Sequence, residues 1–280
     1  MSDEGRRHAP AGAAVQQGIR HIWPDRKPLI GMVHLLPLPG SPRWGGSMDE
    51  ILERACADAE ALAEGGLDGI LVENFLDAPF FGEEVPAETV AALGRVAAEL
   101  VARAPVPVGV NVLRNDARAA LAVAVASGAA FIRVNVHVGT MWTDQGIVEG
   151  RAAWTLRARA ALGAPVAILA DILVKHATPP PGLTVEAAAA DTWSRGLADA
   201  LVVTGVGTGR ETDLDRVARA RAGAPDAAVL VGSGVTPATL AGALRMADGV
   251  IVGSSLSRDG RAGSGVDPAR VRALAGARSG

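Results

Sequence analysis

The chain is poor in several features that would each define a class of protein. Its 280 residues contain one cysteine, Cys56, so no internal disulfide framework can form. The net charge is −3 and no run of lysine or arginine occurs, so we predict no nucleic-acid partner. No apolar run reaches the ~20 residues that cross a bilayer, and residues 1–18 lack the apolar stretch of a signal peptide. We therefore expect a cytoplasmic protein without a membrane span.

In place of these features the chain repeats one unit eight times. Each unit has an apolar strand of four to six residues, a loop, an alanine-rich amphipathic helix and a turn marked by glycine or proline. The strands are nearly continuous apolar runs, which is typical of parallel strands buried on both faces. The pattern predicts an α/β protein, a single (β/α)8 barrel, over residues 28–280. A doubly wound open sheet is the alternative, and residues 1–27 are expected to be a tail, with a short helix closing the barrel floor as one option.

The boundaries follow from the apolar runs and from helix start and stop signals. The predicted strands are Leu29–Val33, Gly69–Val72, Val108–Val112, Phe131–Asn135, Val166–Ala170, Ala200–Val203, Val229–Val231 and Gly249–Val252. The predicted helices are Met48–Glu64, Pro86–Arg103, Asp116–Ser127, Arg151–Leu162, Thr184–Arg195, Asp213–Ala222, Thr236–Leu244 and Asp267–Ala277. Turns from helix to strand are short, whereas several loops from strand to helix are long. The long loops must share the C-terminal face of the barrel, where barrel enzymes place their sites.

Glycine–serine segments follow the last two predicted strands. The first contains Gly232, Ser233 and Gly234, and the second contains Gly253, Ser254 and Ser255. Barrels often bind phosphate between these two loops, because glycine lets backbone N–H groups approach an anion. A third glycine-rich loop after the sixth strand adds Thr204, Gly205 and Gly207 but lacks the spacing of a P-loop. The sequence therefore predicts an anion site, with phosphate as the favoured anion and two tight turns as the alternative.

Polar side chains stand at the ends of the first five strands and converge on one cavity in a barrel. They are His34, Glu73, Asn74, Asn111, Asn135, Asp171, Lys175 and His176. Glu73 and Asp171 are the best acid–base candidates, with His34 and His176 as further proton carriers. Lys175 could pair with a substrate anion or, as the less favoured option, form a Schiff base. A metal held by His34, Glu73, Asp171 and His176 is an alternative, but no metal-binding motif occurs, so we predict neither a metal nor a cofactor.

Several longer segments resemble the BtpA family, also called the BtpA/SgcQ family. They are GMVHLLPLPGSP (31–42), ENF (73–75), DAPF (77–80), GVNVLRND (109–116), FIRVN (131–135), DQG (144–146), Asp171 with Lys175 and His176, and GSGV (232–235). The resemblance covers residue 27 to the C-terminus and implies a barrel of the phosphate-binding type. The chain departs from the family at Ala238-Thr239, where Glu-Asn is frequent. It also has Arg258 where a lysine is frequent, and this arginine is a candidate phosphate ligand.

Three functions stay open at this stage. The first is an enzyme that binds a phosphorylated small metabolite, a sugar phosphate or a nucleotide-like compound, and acts by acid–base chemistry as an isomerase, lyase or glycosyl-cleaving enzyme. The second is a non-catalytic assembly or stability factor that meets a protein partner through the loop from Phe75 to Phe81, as the family's link to photosystem I biogenesis implies. The third is a metal-dependent hydrolase. A homo-oligomer is expected in each case, since barrels commonly form symmetric assemblies.

Overall fold

The protein is a closed (β/α)8 barrel. The computed structural model describes residues 16–205 and 214–278. Eight parallel strands close the barrel, and they follow one another around it in their order along the chain, with the last paired to the first. Their bounds are Leu29–His34 (β1), Gly69–Glu73 (β2), Val108–Asn111 (β3), Phe131–Val134 (β4), Ala167–Ile172 (β7), Ala200–Val203 (β9), Val229–Val231 (β10) and Gly249–Val252 (β11). The predicted fold class is confirmed, and each predicted barrel strand is present within two residues of its predicted bounds.

Helices cover the outside of the barrel between successive strands. They are Met48–Glu64 (α1), Ala87–Arg103 (α2), Ala117–Ser127 (α3), Ala152–Ala161 (α4), Val185–Ala190 (α5), Leu214–Gly223 (α6), Leu240–Met246 (α7) and Pro268–Gly276 (α8). A π-helical turn, Asp191–Arg195, continues α5 and completes the predicted helix there. Side-chain caps fix several starts, since Ser47, Asp116, Thr184 and Asp267 each accept a hydrogen bond from a backbone N–H of the first turn. Within the described residues, no helix is both long and apolar enough to span a bilayer.

A small second sheet stands above the barrel, where the sequence pattern was interpreted as a loop. Strands β5 (Thr140–Thr143) and β6 (Gly146–Glu149) form an antiparallel hairpin, and β8 (Ala177–Thr178) pairs with β5. Met141 and Val148 point inward and bury against Val136 and Val174. The sequence pattern does not predict these three strands. The two residues Asp144 and Gln145 form the turn between the paired strands.

The lower interior of the barrel is packed with apolar side chains. Phe131 of β4 meets Trp23 edge to face, with 5.3 Å between ring centroids. Gly109 of β3 gives the Phe131 ring its room, because a Cβ there would lie 2.2 Å from the ring. Residues 16–27 form turns and no helix, so the helical option fails for this part of the tail, and residues 1–15 lie outside the described residues. The closed floor leaves the opposite end of the barrel as its open face.

Candidate functional site

The upper layer of the barrel interior is polar. Side chains alternate along each strand, so the residues two positions above the apolar interior residues also point inward. His34, Glu73, Asn111 and Arg133 are successive register partners across β1, β2, β3 and β4. Four neighbouring strands thus place four chemically active side chains in one row. This row closes the top of the apolar core and forms the floor of the candidate site.

Glu73 occupies the middle of this row. Its Oε2 accepts a hydrogen bond of 2.5 Å from Asn111 Nδ2, and its Oε1 lies 3.9 Å from His34 Nε2. The His34 ring packs against Phe75, with ring centroids 4.8 Å apart. The side chains of Glu73 and His34 are each 9% exposed, so little water reaches them. Both line the cavity. The pair can therefore take up or deliver a proton at a defined position.

Arg133 and Asp171 form a buried ion pair beside Glu73. Arg133 donates through Nη2 to Asp171 Oδ1 at 2.8 Å and through Nε to Oδ2 at 3.1 Å, which is a bidentate arrangement. Asn135 Nδ2 donates to the same Oδ2 at 2.6 Å. Burial alone would lower the pKa of Arg133, but the paired carboxylate raises it above its ordinary value. With its carboxylate fully buried and held by two partners, Asp171 orients Arg133 and Asn135.

Lys175 reaches the cavity from the loop that follows β7. Its backbone is held in place, because Arg114 Nη2 donates to the Lys175 carbonyl at 2.8 Å. Two non-glycine residues of this loop have left-handed backbones, Leu173 at φ 47° and His176 at φ 57°. Such conformations cost of order 1–3 kcal/mol each and cluster at functional sites. Burial lowers the pKa of the Lys175 amine, and the neighbouring Arg133 lowers it further.

Hydrogen bonds cross-link the three glycine-rich loops. Ser233 Oγ accepts from the backbone N–H of Gly205 at 2.9 Å, and Ser255 Oγ donates to the carbonyl of Val235 at 2.6 Å. Gly234 has a φ of 72°, a conformation that glycine adopts without strain. Its N–H has no hydrogen-bond partner within the part of the chain that the structure describes. The loops after β9, β10 and β11 thus hold one another in place, and the Gly234 N–H stays available as a hydrogen-bond donor.

These groups share one small cavity at the open end of the barrel. His34, Glu73, Arg133 and Lys175 line it together with residues 232–234 and 253–255. Thr204 lies beside Gly232, with its Cγ2 2.9 Å from where a Cβ of residue 232 would stand, and its buried Oγ1 has no hydrogen-bond partner among the described residues. Buried polar atoms without partners are rare, and a bound water, ion or ligand is one way in which such an atom is satisfied. Ionisable side chains and glycine–serine segments therefore line the same cavity.

The buried His34 should make stability depend on pH. Burial lowers the pKa of the His34 imidazole, although the facing Glu73 raises it in part. The unfolded histidine binds a proton near its ordinary pKa of about 6.5, whereas the folded one binds it at lower pH. The free energy of unfolding should therefore fall as the pH drops from about 6.5 toward the lower folded pKa. Urea denaturation across this range should show a weaker pH dependence for His34→Gln than for wild type; equal dependences would contradict the assignment.

The structure brings together most of the residues predicted for the site but leaves several outside. Asn74 turns away, because its side chain binds the backbone of Leu113 and the carboxylate of Asp77. His176 is exposed, and it does not line the cavity. Arg258 is also exposed, its Nε donates to the Val266 carbonyl at 3.3 Å, and it does not line the cavity. Gly207 lies outside the described residues.

The remaining sequence predictions are not tested by the fold. Among the described residues, no group of three or more histidine, cysteine, aspartate or glutamate side chains could hold a metal ion. His34 and Glu73 do lie together, whereas Asp171 is engaged by Arg133. The cytoplasmic location, the homo-oligomer and the lack of a nucleic-acid partner stay predictions.

Arg133 is the main residue of the site that does not appear among the site residues predicted from the sequence. The signal that would have placed it is strand parity. Phe131, Arg133 and Asn135 stand at every second position, and every second side chain of a strand points to the same face. Arg133 therefore shares the face of a core phenylalanine and a polar strand-end asparagine. Ile132, between them, packs in the outer cluster against the helices.

Together these features define a class: a (β/α)8 barrel with one polar site where the strands end. The chain belongs to the BtpA family, whose model matches residues 25–279. It is 49% identical over 249 residues to the photosystem I biogenesis protein BtpA of Synechocystis, covering 88% of this chain and 86% of that protein. It is 46% identical over 250 residues to an uncharacterized protein of Thermococcus kodakarensis, covering 89% and 94%.

Solved structures share the fold at low sequence identity. Thiamine phosphate pyrophosphorylase from Pyrococcus furiosus aligns with a TM-score of 0.56 and 14% identity, over 90% of this chain and 95% of that one. This likeness establishes the common barrel architecture.

Proposed function

We propose that the protein is an enzyme that binds a phosphorylated small metabolite and transforms it by acid–base chemistry. The observation that carries the proposal is the single cavity shared by the glycine–serine loops and by His34, Glu73, Arg133 and Lys175. An anion-binding frame and proton-transferring groups within one small cavity suit a substrate with a phosphate at one end and the reacting carbon near the other. The reaction class is isomerisation, elimination or glycosyl cleavage.

The phosphate is assigned to the loops after β10 and β11. Gly234 offers a backbone N–H, and Ser254 offers a hydroxyl for which no hydrogen bond within the described residues competes. A Cβ at Gly253 would lie 3.0 Å from His34 Cε1, so glycine there keeps the backbone beside the imidazole. Arg133, which is paired with Asp171, lines the same cavity. That thiamine phosphate pyrophosphorylase, by its name an enzyme of a phosphate compound, has the same fold supports this placement.

Glu73 is assigned as the group that moves the proton, with His34 as its partner. The Asn111 amide fixes one carboxylate oxygen, and the other faces the imidazole. Asp171 is assigned a positioning role, because its two oxygens are engaged by Arg133 and Asn135. Of the two acid–base candidates predicted from the sequence, Glu73 and Asp171, only Glu73 is therefore assigned to proton transfer.

The phosphate assignment is tested by placing a negative charge in the loop. Ser254→Asp should abolish the thermal stabilisation that inorganic phosphate or a sugar phosphate gives the wild type, because the carboxylate repels the anion. For the wild type, a ligand at a hundred times its Kd should add about 2.7 kcal/mol, or a few degrees in Tm. Ser254→Asn, of similar size but neutral, is the matched control and should keep most of the shift.

The result that would overturn the assignment is an equal stabilisation of wild type and Ser254→Asp by the same phosphate compound. A wild type that no phosphorylated compound stabilises would overturn the proposed substrate class itself.

A non-catalytic assembly factor is the second candidate. It is supported by the name of the Synechocystis relative and by the exposure of Phe81, 56%, in the long loop after β2. Under this candidate, Phe81→Ser should abolish recovery of a membrane-protein complex with the tagged protein while leaving phosphate binding unchanged. Phosphate binding by the wild type together with unchanged recovery by Phe81→Ser would exclude it.

A further inference from the structure

The chain uses lysine at two positions only. Of its 27 basic side chains, 25 are arginines, and the lysines are Lys27 and Lys175. Lys27 is on the surface, where its Nζ donates to the carbonyl of Leu244. Lys175 is the lysine that lines the cavity. In a sequence that places arginine at nearly every cationic position, a lysine at the centre of the site indicates a need that arginine cannot meet.

That need is an amine that can lose its proton. Arginine stays charged in proteins and binds phosphate better through its planar fork, so an anion contact alone would favour arginine. A lysine amine becomes a nucleophile when it is neutral. The Lys175 ammonium makes no hydrogen bond or ion pair within the described residues, although Glu73 and Asp171 act on it through space. Burial and the nearby Arg133 lower the pKa of this amine, which increases the neutral fraction.

We propose that Lys175 is a nucleophile that captures the carbonyl carbon of a phosphorylated aldehyde or ketone as an imine. This inference rests on the proposed function and names its substrate class. The support is positional: Lys175 shares a cavity with the glycine–serine loops that would hold the phosphate and with Glu73 and His34, which can move protons. The loop that carries it is fixed by the Arg114 contact to its carbonyl and by the pairing of β8 with β5.

The step balances without a further reagent. The Nζ lone pair attacks the carbonyl carbon, and the C=O π pair moves to oxygen, which takes up a proton. Nitrogen then loses one proton to Glu73, and the hydroxyl leaves as water after it receives a second proton. One amine, one carbonyl and one proton give one iminium and one water. The iminium withdraws electrons from the neighbouring carbon, whose proton or carbon–carbon bond is then easier to break.

The test is reductive trapping. Purified protein is incubated with dihydroxyacetone phosphate or glycolaldehyde phosphate and sodium cyanoborohydride, and the modified residue is located by peptide mass spectrometry. We expect one adduct, on Lys175, with the mass of the carbonyl compound less one oxygen atom. Lys27 of the same molecule reports background modification, and Lys27→Arg should be trapped as well as wild type. Lys175→Arg and Lys175→Met should lose the adduct.

Phosphate binding separates the two ways of failing. If inorganic phosphate stabilises the wild type and Lys175 is trapped no faster than Lys27, the imine inference is overturned and the proposed phosphate site stands. If phosphate gives no stabilisation and no adduct forms, both fail. Trapping by unphosphorylated dihydroxyacetone as fast as by its phosphate would overturn the substrate class. Because the adduct is mapped in the wild type, the result does not depend on how the variants fold.

Discussion

Arg133→Met is expected to destabilise the barrel by about 3–5 kcal/mol, because it removes one partner of a buried ion pair and leaves the other charge unpaired. Asp171 is fully buried and receives two hydrogen bonds from Arg133, so in the variant its carboxylate stays in the same interior with the hydrogen bond from Asn135. Methionine matches the length of the arginine stem and avoids a large cavity. The measurement is the free energy of unfolding in urea.

A double variant gives the matched control. Arg133→Met combined with Asp171→Leu replaces both charges with apolar groups and should recover much of the lost stability, since a buried pair can often be replaced at little cost. Arg133→Lys should lie between, because lysine cannot form the bidentate contact. The loss of an ordinary hydrogen bond costs about 1 kcal/mol. If Arg133→Met lowers the free energy of unfolding by no more than that, the result would contradict the ion pair with Asp171.

Glu73→Gln is expected to lower the rate of proton transfer by about 10²–10⁴-fold with little loss of stability. Glutamine has nearly the same shape, and its oxygen can still accept from Asn111 Nδ2, so the row of side chains across β1 to β4 should persist. What is lost is the group that can bind and release the proton. The measurement is exchange of ligand C–H protons with deuterated water, followed by NMR on the phosphate compound that stabilises the wild type most.

Glu84→Gln is the control for this variant. Glu84 is exposed in the loop after β2, 3.8 Å from Arg151, and does not line the cavity. Its exchange rate should equal that of wild type. A Glu73→Gln protein that exchanges within tenfold of wild type would remove Glu73 from the proposed role.

Much of the fold and part of the site could be predicted from the chain alone, for a physical reason. Parallel strands buried on both faces need continuous apolar runs, and their carboxyl ends must meet at one face. His34, Glu73 and the glycine–serine segments accordingly line one cavity, while their roles stay predictions. What the pattern predicted well is what backbone geometry determines.

The rest depends on side-chain direction and tertiary contact. Glu73 ends β2 and Asn74 is the next residue. The Asn74 side chain nevertheless turns away from the cavity and accepts a hydrogen bond from the backbone N–H of Leu113. Arg258 follows the last strand, but the local turn directs it to the Val266 carbonyl. The β5–β6 hairpin gains its stability from burying Met141 and Val148 on the loop after β4, a contact that no local propensity shows.

The most direct test of the central claim is a crystal structure of the protein grown without sulfate and soaked with the phosphate compound that gives the largest thermal shift. The account predicts the phosphate between residues 232–234 and 253–255, within hydrogen-bond distance of the Gly234 N–H, with the rest of the molecule directed toward Glu73 and Lys175. A phosphate bound outside this cavity, or density for the ligand nowhere in it at saturating concentration, would contradict the claim.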